Sequence, residues 1–246
     1  MWNTAPARLV LRHEEIHAWR VSLVGERQDY EGYWATLAPD EKARAERYHF
    51  DRDRVRFVVA RGVLRMILGR YLNLEPQEVR FSYTEYGKPY LPYNLASSDI
   101  TFNLTHSHDL AVLAVTRARQ IGVDLEFVRP DLASESIAER FFARDEVTTL
   151  FSLPPLVRTQ AFFHCWTRKE AFIKAVGEGL SYPLNQFTVA FTPEDPPALL
   201  EIRGSVTEAR RWALFELAPG EGYVGALAVQ RKDTTFPLQL WQWQTP

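Results

Sequence analysis

The 246-residue chain has one cysteine, Cys165, so no internal disulfide can form. Cross-linking, the usual support of small secreted domains, is excluded, and a reducing cytoplasm is the expected location. Cys165 lies in the apolar run before Trp166. There it reads as a small buried hydrophobe rather than a nucleophile. No apolar run approaches the ~20 residues of a membrane span. The first residues, MWNTAPARLVLRHEE, lack the apolar core of a signal peptide. Positive charge is not in excess: 29 Lys and Arg stand against 31 Asp and Glu, a net charge of −2. Neither nucleic acid nor a membrane surface is therefore an expected partner. The glycine patterns that cradle phosphates are missing too. No Gly-x-x-x-x-Gly-Lys-Ser/Thr loop occurs, and Gly177-Glu178-Gly179 belongs to a helix terminus rather than a dinucleotide fold. Ser, His and Asp show no nucleophile-elbow pattern.

A metal-hydrolase pattern fails on inspection. Thr105-His106-Ser107-His108-Asp109 looks like the opening of His-x-His-x-Asp-His, but Leu110 and Ala111 stand where the acid and third histidine belong. His164 is the only histidine further downstream, so a zinc hydrolase is not expected. A histidine beside threonine and serine hydroxyls suits a phosphate equally well.

What the chain has is apolar bulk. Hydrophobic residues make up 46 %, with seven Trp and fifteen Phe, enough for a sizeable core. Ile16 to Val24 reads as a first strand. Pro39-Asp40-Glu41 opens a helix, because proline and acids suit a first turn. The helical region continues through RDRVRFVVARGVLRMILGRYL, with a break expected near Phe50-Asp51. Glu78 to Tyr83 and Ile100 to Leu104 read as strands around a Glu85-Tyr86-Gly87-Lys88-Pro89 turn. Thr105 to Asp109 reads as a polar loop, and Leu110 to Val115 as a buried strand.

The second half repeats this order across a shift of roughly a hundred residues. Ile121 to Glu126 stands where Ile16 to Val21 stood, and the helix at Trp166 where Val59 to Ile67 stood. Gln186 to Phe191 echoes Val79 to Tyr83, and Tyr223 to Val229 echoes Leu110 to Val115. The expectation is an α+β protein made of two similar lobes in one chain, a pseudo-dimer. Each lobe packs a small sheet against a long helix. Residues 1–116 would form the first lobe and 117–246 the second. The halves differ at one point: where the second has Asp124 and Glu126, the first has Trp19 and Val21. One metal site is therefore expected, at or near the junction of the lobes.

Two stretches carry the chemistry. In Ile121-Gly122-Val123-Asp124-Leu125-Glu126 strand alternation puts both acids on one side. In WTRKEAFIKAVGEGL, Glu170 and Lys174 lie four apart and share a helix face, with Gly177 as the stop. As an isolated pair they would be a surface bridge worth about 0.3–0.5 kcal/mol. With Asp124 and Glu126 added, three carboxylates suffice for a hard cation such as magnesium. Between Lys42 and Arg70 nine basic residues outnumber three acids, Glu46, Asp51 and Asp53. Internal bridges such as Asp51 with Arg54 account for some of them, and an anion site for others.

Gly122-Val123-Asp124-Leu125-Glu126 and Trp166-Thr167-Arg168-Lys169-Glu170-Ala171-Phe172-Ile173-Lys174 together resemble the two motifs of the 4′-phosphopantetheinyl transferases, in the larger two-lobed type that activates surfactin synthetase. Glu85 to Pro89, Phe102 to Ser107 and Arg140-Phe141-Phe142 fit the same family in order, and the likeness runs from about Pro39 to Phe191. The resemblance implies a monomeric enzyme with coenzyme A in its cleft. It would move the phosphopantetheine arm to a serine of an apo acyl or peptidyl carrier protein, leaving 3′,5′-ADP. It further implies that Asp124, Glu126 and Glu170 hold magnesium and that Lys174 lies near the pyrophosphate. Lys88, Pro89, Thr105, His106, Arg44 and Arg56 would contact coenzyme A. This chain has Glu41 where the family type has a lysine, with Lys42 next to it, and Thr105-His106 where serine-histidine is common.

Lys174 would add positive charge where the bond to 3′,5′-ADP breaks. Glu170, a water it holds, or Glu146 would take the serine proton. Two alternatives use the same residues differently. A magnesium-dependent coenzyme A phosphohydrolase would put water in place of the serine. A non-catalytic coenzyme A or carrier-binding module would need the basic residues but not three acids.

Overall fold

The computed structural model describes residues 1–24, 27–92, 99–232 and 237–245. Along the chain come β1 (Asn3–Thr4), β2 (Ile16–Ser22), α1 (Arg27–Thr36), α2 (Pro39–Glu46) and α3 (Asp51–Leu72). The short hairpin β3 (Ser82–Tyr83) and β4 (Pro89–Tyr90) follows, then β5 (Ile100–Ser107), β6 (Leu110–Arg117) and β7 (Ile121–Phe127). Next are α4 (Glu135–Phe141), α5 (Arg144–Ser152), α6 (Pro155–Val176), β8 (Phe187–Val189) and β9 (Leu199–Ile202). The chain ends with α7 (Val206–Ala209), β10 (Trp212–Leu217), β11 (Tyr223–Gln230) and β12 (Leu238–Gln242).

Two compact units result. One comprises Met1–Tyr83, Pro89–Ala118 and Phe236–Pro246; the other comprises Thr84–Lys88 and Arg119–Thr235. The first holds a five-stranded sheet, β1-β12-β2-β6-β5, and the second a three-stranded sheet, β10-β11-β7. The antiparallel order β2-β6-β5 thus recurs as β7-β11-β10. Each unit also has one 22-residue helix, α3 or α6. The α+β architecture of two similar units is as expected. Strand β12, which the sequence reading placed in the second lobe, runs parallel to β2 in the first unit.

In the first unit α3 starts on Asp51 and Asp53 in its first turn, which favour the positive helix end. It stops at Asn73, in the left-handed conformation with φ 54°. Val58, Val63, Leu64, Ile67 and Leu68 form its buried stripe with Trp19 and Val21 of β2 and Leu113 of β6. Trp19 and Val21, the counterparts of Asp124 and Glu126, are therefore core residues. The Trp19 indole donates to the Tyr71 hydroxyl at 2.9 Å.

Two local expectations are corrected. Only Ser82–Tyr83 of the expected strand 78–83 is extended and paired, and Pro76–Glu78 is a 3-10 turn. The reason is the buried Arg65: its guanidinium takes the carbonyls of Pro76 and Val79 at 3.2 and 2.8 Å, so those groups do not join a ladder. The expected polar loop 105–109 is mostly strand. β5 runs to Ser107, and the reversal is made at His108, whose φ of 51° is left-handed.

In the second unit α6 begins with Pro155 and ends at Gly177, φ 89°. Its buried stripe, including Phe162, Phe172, Ile173 and Ala175, packs with Ala226 and Ala228 of β11. Gly122 of β7 lies directly beneath it. A Cβ there would sit 2.2 Å from the Ala171 carbonyl oxygen and 2.3 Å from the Ala175 nitrogen. Backbone atoms cannot be pushed aside as a flexible side chain can, so Gly122→Ala is expected to destabilise at the upper end of about 1–3 kcal/mol. Urea unfolding checks this. An unchanged midpoint would mean that the helix does not rest on this residue.

Candidate active site

Strand alternation places Gly122, Asp124 and Glu126 on the face of β7 that meets α6. The bare Gly122 lets the helix come close, and the turn of α6 carrying Glu170 and Lys174 then faces Asp124. The Lys174 ammonium donates to Asp124 Oδ1 at 2.5 Å. Asp124 is buried, while the Lys174 side chain is 30 % exposed. Lys174 is therefore more than a surface bridge along its own helix: it reaches a strand carboxylate fifty residues away.

The electrostatics follow from crowding. Burial, then the charge of Asp124 and more weakly of Glu126, pushes the Glu170 carboxyl up to about 7, against the pull of Lys174. Burial works against charge on Lys174 as well, but Asp124, Glu170 and Glu126 outweigh it and raise the amine above its ordinary value. Three acids thus share one electric field with one ammonium. All their donor atoms are oxygens, the set a hard divalent cation prefers. Among the described residues no group of three or more His, Cys, Asp or Glu is gathered closely enough to hold a metal as it stands. The ammonium of Lys174 supplies positive charge at Asp124.

Glu146, the other candidate base, is not available. It is 4 % exposed and both oxygens are engaged. Oε2 accepts the Ala143 amide at 2.8 Å and the Lys169 ammonium at 2.7 Å, and Oε1 accepts the Val189 amide at 2.9 Å. Burial raises its pKa in spite of Lys169. Cys165 is fully buried, and burial lifts its thiol well above the ordinary range.

Lys88 is placed unexpectedly. Its ammonium donates to the carbonyls of Ile121, at 3.0 Å, and of Lys174 and Ala175 at the end of α6. A cation is well suited to those orphan carbonyls and to the negative end of the helix. Burial lowers its pKa to about 8.

The remaining candidates lie in the first unit. Arg56 is 15 % exposed and donates to Asp109 at 2.5 Å, with Asp53 at 3.7 Å. Its Nε is buried with no hydrogen-bond acceptor among the described residues. The Arg44 guanidinium lies over the Phe57 ring at 5.2 Å. Thr105 is buried and His106 exposed, as neighbours on β5 that point to opposite faces. Pro89 is half-buried on β4. Part of the basic surplus is structural: Arg54 pairs with Asp51 at 2.7 Å, and Arg61 and Arg65 are buried against Glu41. The sequence reading missed Asp109 as the partner of Arg56, and it assigned Lys169 no role. For Asp109 the signal was the turn beside it; for Lys169 it was the internal repeat.

Two family models cover most of the chain. One, described as the 4′-phosphopantetheinyl transferase superfamily, matches residues 120–228; the other, 4′-phosphopantetheinyl transferase, N-terminal, matches residues 19–118. The 4′-phosphopantetheinyl transferase HetI of Nostoc sp. is 43 % identical over 228 residues, covering 93 % of both chains. The chain belongs to the 4′-phosphopantetheinyl transferases. The Sfp enzyme of Bacillus subtilis is 33 % identical over 162 residues, covering 66 % of this transferase and 70 % of Sfp. A solved structure titled as a Chronobacterium ammoniagenes ACPS-CoA complex is 25 % identical, with a TM-score of 0.36, and covers 47 % of this chain and 98 % of that one. The two family models and the likeness to HetI and Sfp make the transferase one of the two-lobed Sfp type. Among its described residues no helix is long and apolar enough to cross a membrane.

The raised pKa of Glu170 has a consequence for stability. A carboxyl whose pKa is higher folded than unfolded binds its proton more tightly in the folded state. That contribution is fully present below the unfolded value near 4.5 and is lost as pH rises through about 7. In metal-free buffer Glu170→Gln should therefore gain stability over the parent between pH 5 and pH 8, by on the order of 1–3 kcal/mol. Thermal melts at both pH values measure this. A difference that does not change with pH would show that the three acids do not share a field.

Proposed function

We propose that the transferase moves the 4′-phosphopantetheine arm of coenzyme A to a serine of an apo acyl or peptidyl carrier protein, releasing 3′,5′-ADP, with magnesium held by Asp124, Glu126 and Glu170. The observation that carries this is the field shared by the three carboxylates beside one ammonium, on the strand and helix of the two family motifs. When bound, magnesium would offset the charge of the pyrophosphate that otherwise repels an attacking oxygen. The donor set fits such an ion, and the cation now at Asp124 has the sign the acids require.

The protein's own groups do the rest. Lys174 holds positive charge at the edge of the acid cluster, where charge develops as the bond to 3′,5′-ADP breaks. Glu170, or a water it holds, takes the serine proton; a carboxyl poised near neutrality suits that task. Arg44 and Arg56 are the 3′-phosphate ligands. The buried Nε of Arg56, which has no acceptor among the described residues, supports this, because a charged donor rarely stays unsatisfied. Pro89, Thr105 and His106 are further coenzyme A contacts. Lys88 reaches the ligand only by leaving the end of α6.

The deciding experiment is mass spectrometry of an apo carrier protein incubated with the transferase, coenzyme A and magnesium. A gain of the phosphopantetheine mass is expected. Free phosphopantetheine with an unmodified carrier would mean hydrolysis instead.

Single-turnover transfer should fall at least ~100-fold in Lys174→Met, because a charge aimed at a developing anion is lost. Lys174→Arg should recover part of it, its fork being larger and differently shaped. The Met variant should also lose about 1–3 kcal/mol of stability, less than a fully buried pair would, since Lys174 is 30 % exposed. Rates within about twofold of the parent would remove Lys174 from the reaction. Separately, Arg56→Ala should weaken coenzyme A more than dephospho-coenzyme A, by roughly 1.5–3 kcal/mol per charged hydrogen bond lost. Equal losses in calorimetric titrations would place Arg56 away from the 3′-phosphate.

A further inference from the structure

The motif lysine Lys169 immediately precedes Glu170, yet it faces the protein interior and is 0 % exposed. An ammonium has three N–H donors. All three are used: Glu146 Oε2 at 2.7 Å, the Leu184 carbonyl at 2.8 Å and the Phe187 carbonyl at 2.6 Å. The ammonium also lies 4.4 Å from the centre of the Phe187 ring. No donor remains for a phosphate, so Lys169 is not a substrate ligand. Its partner Glu146 is itself fixed by the amides of Ala143 and Val189. The chain from Lys169 outward thus ties α6 to the start of α5, to the turn at 184–186 and to β8.

The first unit has the same device with another base. Glu41 accepts the Ala38 amide at 2.9 Å and Arg65 Nε at 2.6 Å, with Arg61 Nε at 2.7 Å. Arg65 then donates to the carbonyls of Pro76 and Val79. In each unit an acid at the third position of a helix caps that helix. In each, it holds a base from the middle of the long helix, and the base binds two carbonyls three residues apart. The chemistry around the two acids differs. Burial alone would raise the Glu41 pKa, but Arg61, the Ala38 amide and Arg65 bring it below the ordinary value. At Glu146 the single lysine does not offset burial.

The repeat means that each lobe fixes the rotation of its long helix by a buried ion pair. Only in the second does that helix carry Glu170 and Lys174. Successive residues turn by about 100° around a helix. With Lys169 pinned inward, Glu170 and Lys174 are held toward Asp124. A small rotation of α6 would carry both along the β7 face, and misplacement on the scale of 1 Å is enough to cost a large factor in rate.

We propose that Lys169, through Glu146, is a positioning residue for the transfer reaction, aiming Glu170 and Lys174 by fixing the rotation of α6. This rests on the transfer reading above. Lys169→Met alone would strand the buried Glu146 carboxylate, so the test uses Glu146→Leu/Lys169→Met, which removes both charges together and is read against a control of matched melting temperature. Glu41→Leu/Arg61→Met/Arg65→Met is the matched control in the other lobe, because Glu41 holds both arginines, and Lys169→Arg is the conservative variant. Each is assayed for thermal stability, for single-turnover transfer with its KM for coenzyme A, and for Mn2+ binding to the metal-free protein by electron paramagnetic resonance.

For Glu146→Leu/Lys169→Met the expected result is a rate at least tenfold lower, a KM for coenzyme A within threefold and Mn2+ bound at least fivefold more weakly. The matched control of similar melting temperature should keep Mn2+ affinity within twofold. Lys169→Arg should return the rate to within about threefold, since an arginine fills this role at position 65. Rates and Mn2+ affinity that follow melting temperature alike in Glu146→Leu/Lys169→Met and in the control would overturn the proposal and leave the pair a structural bridge. A parent protein that fails to modify any carrier would count against the transfer reading, not this one. The Mn2+ comparison decides the positioning role in either case.

Discussion

Everything at the candidate site depends on how close one helix can come to one strand. α6 can rest on β7 because Gly122 has no side chain, and the Ala171 carbonyl occupies the space where a Cβ would be. That approach sets the distance between Asp124 and two residues of α6, Glu170 and Lys174, which lie four apart on one helix face. A bulkier strand would still make a sheet and a helix, but the carboxylates would be further apart and better hydrated. The pressure that raises Glu170 toward neutrality would relax. Close backbone packing is thus the origin of the site's charge chemistry.

The same lobe shows two ways of burying charge. The Glu146–Lys169 pair is fully enclosed and has every donor and acceptor satisfied, which makes it rigid. The Asp124–Lys174 pair is buried on the acid side and partly open on the lysine side. An open pair can exchange its partner for a ligand, whereas a closed one can only hold its neighbours. Adjacent residues in one helical motif, Lys169 and Glu170, fall on opposite sides of that division because the helix turns between them.

Much of this was legible in the sequence. The alternation in Gly122-Val123-Asp124-Leu125-Glu126 put the acids on one face, and Gly177 marked the end of α6, because both depend on local rules of period and backbone freedom. The repeated order of elements was readable for the same reason. What could not be read was the fate of long polar side chains. Lys174 had Glu170 as its sequence neighbour, but it bonds Asp124, and Lys88 caps a helix more than eighty residues away. Glu146 and Glu170 both looked like bases, and burial with both oxygens engaged sets Glu146 apart. Arg65 was counted in a basic surface yet is 1 % exposed, and by taking two carbonyls it also dissolved an expected strand. Such outcomes depend on contacts distant in sequence, which local patterns do not encode.

Strand β12 has a consequence for the order of assembly. It lies between β1 and β2 in the first unit's sheet, and the Arg20 side chain meets Gln242 across 222 residues of sequence. A ribosome making this chain releases β2 long before the strand that must sit beside it. Until then the β2 edge has unpaired backbone groups on one side, an invitation to mispairing. The second unit, whose strands β7, β10 and β11 are all made in one continuous stretch, has no such wait. The lobe synthesised first is therefore the lobe completed last, and its exposed edge is where chaperone binding or aggregation during synthesis would concentrate.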